Sequence, residues 1–153
     1  MALEPLAAAQ PPRSGSHEAQ ENATLLWATK QPRPVETVTG IGGVFFRSKD
    51  PEALGKWYRD NLGVNLVPDG NESMPWTQEA GPTAFAPFPE ESDYFGRDRS
   101  WMINFRVRNL DAMVAQLTRA GVAVKVDPEP YPYGRFARLA DPDGNPIELW
   151  EPK

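Results

Sequence analysis

The sequence predicts an α+β fold of two tandem βαβββ modules, and three observations predict it. A strand-then-helix pattern occurs twice, three short strand-like runs follow each helix, and the last two runs are joined by a tight turn. The first copy opens in TGIGGVFFRS. Alternation there sets Val44, Phe46 and Ser48 on one face and Gly43, Phe45 and Arg47 on the other. Asp50-Pro51-Glu52 is a helix start: Asp caps, Pro suits the first helical position, and Glu favours the positive end of the dipole. Leu54, Trp57, Tyr58 and Leu62 then fall on one helical stripe, and Gly63 marks the stop.

The second copy opens in WMINFRV, with Ile103, Phe105 and Val107 on one face and Met102, Asn104 and Arg106 on the other. Asn109 caps a helix whose stripe is Leu110, Met113, Val114 and Leu117, stopped by Gly121. One constant offset superposes Phe46 on Phe105, Arg47 on Arg106, Asp50 on Asn109 and Ala53 on Ala112, which implies an internal duplication. The strand-like runs are VNLV, a stretch around Trp76 and TAFAPF in the first copy, and VAVKV, GRFARLA and PIELW in the second. Asp141-Pro142-Asp143-Gly144-Asn145 supplies turn chemistry between the last two.

These patterns divide the chain. Residues 1–38, rich in Ala, Pro, Gln, Glu and Ser, are expected to form a flexible N-terminal tail. Residues 39–153 are the folded domain, with module one about 39–89, a linker about 90–99 and module two about 100–153. The 153 residues are 40% hydrophobic and 24% charged, as in soluble globular chains. A net charge of −5 with no basic cluster argues against nucleic acid or an anionic membrane as partner. No apolar run approaches a membrane span, and the acidic start does not read as a signal peptide, so a cytoplasmic location is expected. With no cysteine, disulfides, thiolate metal sites and a Cys nucleophile are excluded. The single histidine, His17, lies in the tail, so no Ser-His-Asp triad can form in the domain, and no phosphate-binding glycine loop is present.

The helix DPEALGKWYRDNLG, the opening FRVRNLDAMVAQLTRAGV and above all the close GRFARLADPDGNPIELWEPK resemble a vicinal oxygen chelate domain, the superfamily of glyoxalases, bleomycin-resistance proteins and extradiol dioxygenases. The resemblance implies curved mixed sheets enclosing a cleft lined by inward-facing strand residues. It also implies a metal site made of one His in the first strand of each module and a Glu in the last strand. The two His positions fall at Gly43 and Met102, neither of which supplies a ligand suited to a hard divalent ion, while the Glu position is kept at Glu148. No metal and no cofactor are therefore expected.

Alternation in PIELW turns Ile147 and Leu149 toward the helices and Glu148 and Trp150 toward the cleft. Glu148 is open to three roles: ion-pair partner of an arginine, substrate contact, or remnant metal ligand. Arg47 and Arg106, equivalent in the two modules, are expected on the cleft face, clamping an anion, neutralising Glu148 or lying partly solvated at a strand end. Asn104 shares that face and needs a polar partner. Phe45, Trp76, Phe85, Trp101, Tyr131, Tyr133 and Trp150 suit either stacking on a flat ligand or core packing. The expected ligand contacts are thus Phe45, Arg47, Asn104, Arg106, Glu148 and Trp150, around a small anionic or aromatic molecule, with no catalytic residue identified. Two alternatives stand beside this binder: a lyase, isomerase or dioxygenase with a non-standard site around Glu148, and a dimerisation or interaction module with a vestigial cleft. A homodimer is compatible with all three.

Overall fold

The computed structural model describes residues 36–67 and 75–153. His17 and most of the expected tail lie outside the described residues. Residues 36–44 contain no helix or strand. Among the described residues, the unit that follows, Phe45–Lys153, contains two helices and four strands.

Helix α1 spans Pro51–Leu62 and helix α2 spans Leu110–Arg119. Their starts are built alike. Asp50 Oδ1 accepts from the Ala53 amide at 3.0 Å, and Asn109 Oδ1 accepts from the Ala112 amide at 2.8 Å. The equivalence read from the sequence is therefore also an equivalence of capping bonds, each satisfying a donor with no partner in its own helix. Gly63 ends α1 at φ 70°, a left-handed conformation that costs glycine little. Its amide donates to the Arg59 carbonyl at 3.1 Å. We expect Asn109→Ala to lower stability by about 1 kcal/mol in urea denaturation, with Asn109→Asp close to the parent.

The strands are β1 (Ile103–Arg106), β2 (Lys125–Val126), β3 (Gly134–Ala140) and β4 (Pro146–Pro152), in the sheet order β1-β4-β3-β2. β4 runs parallel to β1 and antiparallel to β3, so the sheet is mixed. One face presents Ile103, Phe105, Ala137, Leu139, Ile147 and Leu149 to the helices. Leu110, Leu117, Ile147 and Leu149 are completely buried there, joined by Leu54 and Tyr58 of α1. Both helical stripes, and the strand alternation read for the second copy, are those the core uses.

The second copy thus realises the βαβββ order in full. In the first copy the helix forms, but GVFFRS, VNLV, the stretch from Pro75 and TAFAPF pair in no ladder among the described residues. A strand exists through its partner's hydrogen bonds. These runs are poor at holding one: Gly42 and Gly43 loosen the first, and Pro82, Pro87 and Pro89 remove donors around the last. Phe45 and Phe85 are each 90% exposed.

Candidate functional site

The other face of the sheet is set by the same register. Parallel pairing places Asn104 beside Glu148 and Arg106 beside Trp150, while antiparallel pairing places Arg138 and Phe136 beside those same two β4 residues. A polar row (Asn104, Glu148, Arg138) therefore lies next to a second row (Arg106, Trp150, Phe136).

Glu148, only 4% exposed, is the centre of the polar row. Its Oε2 accepts from Asn104 Nδ2 at 2.8 Å. Its Oε1 accepts from the Tyr94 hydroxyl at 2.8 Å and from Arg138 Nε at 3.3 Å. Burying a carboxylate is costly unless its charge and lone pairs are met, and here both are. The Arg138 guanidinium also lies 4.1 Å from the centre of the Tyr94 ring and donates through Nη1 to the Tyr94 carbonyl at 3.1 Å. Burial, and then the hydrogen bond to Glu148, raises the Tyr94 pKa, so the phenol remains a proton donor. Phe88 stacks on Tyr94 with ring centres 4.8 Å apart.

In the adjoining row, the Trp150 indole is nearly parallel to Phe136, at 6.3 Å between ring centres, and its Nε1 donates to the Tyr133 carbonyl at 3.0 Å. Tyr131 and Tyr133, stacked on each other, both meet the edge of Phe136. The polar centre thus has an aromatic flank.

Of the six ligand contacts expected from sequence, Asn104 and Glu148 are directly bonded, and Trp150 and Arg106 share their face of the sheet. The expectation that Arg106 and Arg47 face Glu148 is not met. Arg106 turns aside, Nη2 donating to the Glu79 carbonyl at 2.7 Å, and its guanidinium occupies the space where a side chain on Gly81 would sit. Arg47 is exposed and makes no ion pair among the described residues, and Phe45 is likewise exposed. A short strand followed by loop lets a long side chain at its end swing to the nearest acceptor, which alternation alone does not reveal. Two residues of the cluster were not anticipated. Arg138 was legible: pairing Ala140 with Pro146 across the DPDGN turn puts Arg138 opposite Glu148. Tyr94 lies in the expected linker and carried no sequence signal.

These residues do not fit the metal of the glyoxalase-type site. Both Glu148 oxygens are taken by hydrogen-bond donors, and a divalent cation there would meet the Arg138 guanidinium. Among the described residues, no three His, Cys, Asp or Glu side chains cluster to hold a metal ion. No helix among them is long and apolar enough to cross a membrane.

Several solved structures resemble the chain. TnmS3, an antibiotic-binding protein from Streptomyces sp. CB03234, is 30% identical over 69% of this chain and 88% of its own, with a TM-score of 0.45. A glyoxalase/bleomycin resistance protein/dioxygenase superfamily member from Sphaerobacter thermophilus DSM 20745 is 26% identical over 68% of this chain and 90% of its own, with a TM-score of 0.44. A glyoxylase/bleomycin resistance protein/dioxygenase domain from Frankia sp. EAN1pec is 21% identical over 76% of this chain and all of its own, with a TM-score of 0.49. No curated protein sequence matches. The family model described as a glyoxalase-like domain matches residues 43–150, most of the chain. The chain therefore belongs to the glyoxalase-like domain family, within the vicinal oxygen chelate superfamily that its strand, helix and turn motifs resemble.

Proposed function

We propose that this chain binds a small, partly aromatic molecule on the face of the sheet around Glu148, without a metal ion. The observation that carries this reading is the buried Glu148 carboxylate, held by Asn104, Tyr94 and Arg138 beside the aromatic flank of Phe136 and Trp150. A few placed polar groups against aromatic walls is the general composition of small-molecule sites. The Arg138 side chain is 39% exposed, and its Nη2 makes no hydrogen bond among the described residues, so that amino group remains for an anionic or hydroxyl group on the ligand. Trp150, half-buried, offers an indole to a flat ring. The enzyme alternative has no comparable support: both oxygens of the one buried carboxylate of the cluster are already engaged by donors of the protein itself.

The test is thermal denaturation of the full chain with naphthalenes bearing one hydroxyl or one carboxylate, with and without a chelator. At least one of these probes is expected to raise the melting temperature by on the order of 5 °C at saturation, equally with the chelator present. Arg138→Lys, which keeps the charge but not the planar fork, should weaken that probe about tenfold. Shifts that vanish with the chelator, or about one transition-metal ion per purified chain that disappears in Glu148→Gln, would overturn metal independence. No shift from any probe would favour the interaction module instead.

A further inference from the structure

Tyr94 belongs to the segment between the modules, yet its side chain sits at the centre of the polar row. Its phenol is recognised at every chemically distinct part. The hydroxyl donates to Glu148 Oε1 at 2.8 Å, the Arg138 guanidinium lies 4.1 Å from the ring centre, and Phe88 stacks at 4.8 Å with an interplanar angle of 18°. Asn104 fixes the carboxylate from its other oxygen. An acceptor for the hydroxyl, a cation against the π-system and an aromatic neighbour form a complete set for binding a phenol.

The way the segment is held bears on whether the phenol can leave. The Ser92 amide donates to the Pro89 carbonyl, the Tyr94 amide to Ser92 Oγ, and Arg97 to the Glu91 carbonyl, all within the segment. From Pro89 to Asp98, the hydrogen bonds to the sheet among the described residues are those of Tyr94 itself: its hydroxyl to Glu148 and its carbonyl from Arg138. The next anchor is Arg99, which donates to the Asp143 carbonyl at 3.0 Å. Withdrawal of Tyr94 would therefore break the contacts of that one residue and leave the internal bonds of the segment intact.

We infer that Tyr94 is an internal stand-in for the ligand, and that the site takes a hydroxylated aromatic whose hydroxyl replaces that of Tyr94 on Glu148. This rests on the binding function proposed above and names its ligand class. The arriving ring takes the place beside Arg138 and Phe88, and its neighbouring ring, if fused, extends toward Trp150 on the adjoining row. Because the tethered phenol competes for the site, the parent chain binds below the site's intrinsic strength, by the fraction of time that Tyr94 is out.

The experiment is equilibrium binding of 2-naphthol, naphthalene and 2-naphthoate to the parent, Tyr94→Ala and Tyr94→Phe, each checked for a cooperative melt. Removing the competitor should tighten 2-naphthol at least tenfold in Tyr94→Ala, with a smaller gain in Tyr94→Phe, which keeps a ring but loses the hydroxyl. Naphthalene, which cannot bond Glu148, should gain less than threefold. Should Tyr94→Ala melt without cooperativity, the comparison is read from Tyr94→Phe. Unchanged or weaker 2-naphthol binding in both variants would make Tyr94 a ligand contact or a structural residue and overturn the inference. An equal gain for naphthalene would overturn the role of the hydroxyl. If 2-naphthoate binds the parent while 2-naphthol binds no variant, the binding function stands and this ligand class falls. If no probe binds any form, both fall.

Discussion

Asp141→Ala is expected to lower the unfolding free energy by about 3 kcal/mol or more, because one buried carboxylate serves four donors. Asp141, 5% exposed, accepts from the Asp143 amide at 2.9 Å, the Asn145 amide at 2.8 Å, Asn145 Nδ2 at 2.8 Å and the Tyr58 hydroxyl at 2.9 Å. The first three hold the β3–β4 turn, and the last ties that turn to α1. Alanine would strand the Tyr58 hydroxyl and the Asn145 amide in the interior, where an unmet donor costs more than a bond contributes. Urea denaturation at neutral pH measures this, and a loss below about 1 kcal/mol would show that water satisfies the stranded groups instead. Tyr58→Phe removes one donor together with its need for an acceptor, and should cost about 1 kcal/mol. The same bond gives a pH signature. Burial first, then the hydrogen bond to Asp141, raises the Tyr58 pKa far above that of a free phenol. The native state thus keeps a proton that the unfolded chain releases above about pH 10, so the contribution is complete below that pH and declines as pH rises beyond it. Tyr58→Phe should flatten the alkaline limb of the stability curve.

Gly134→Ala is expected to cost about 3 kcal/mol and to disturb the ligand face as well. Gly134 opens β3 at φ 142°, a conformation that side-chain-bearing residues rarely adopt. A Cβ there would also overlap the Glu151 carbonyl of the paired strand and press on Trp150 Nε1 at 2.5 Å. Relief would come from β3 parting from Pro152 or from the indole moving, which breaks its bond to the Tyr133 carbonyl. The expected result is a lower urea midpoint together with weaker binding of the naphthalene probes. If Gly134→Ala were as stable as the parent, the strand end would have to be free to shift.

The parts of this structure that were legible in the sequence are those governed by local rules. The Asp50 and Asn109 caps, the stripe of Leu54 and Tyr58, and the inward Ile147 and Leu149 all follow from period and capping chemistry. The bond from Asn104 to Glu148 was half legible: alternation put both on one face, but only the parallel register made them neighbours. Arg106 shows the limit of such reasoning, since its face was right and its guanidinium went to Glu79. Tyr94 was beyond reach, because a residue in an irregular segment is placed by tertiary contacts that leave no periodic trace. The strand-like runs of module one failed for a related reason: pattern shows what a strand would bury, not whether a partner is there to pair with it.

The position of β4 between β1 and β3 has a consequence for the order of assembly. The β3–β4 hairpin closes across a five-residue turn and can zip by local contacts at microsecond rates. β1 has no such neighbour in sequence; its pairing of Asn104 with Glu148 spans a separation of 44 residues and waits for that loop to close. The hairpin is therefore the template and β1 the late arrival. Mutations in the DPDGN turn should slow folding, whereas weakening β1 should mainly speed unfolding. Since Glu148 sits on the template and Asn104 on the late strand, the polar row is completed only when β1 docks on the hairpin.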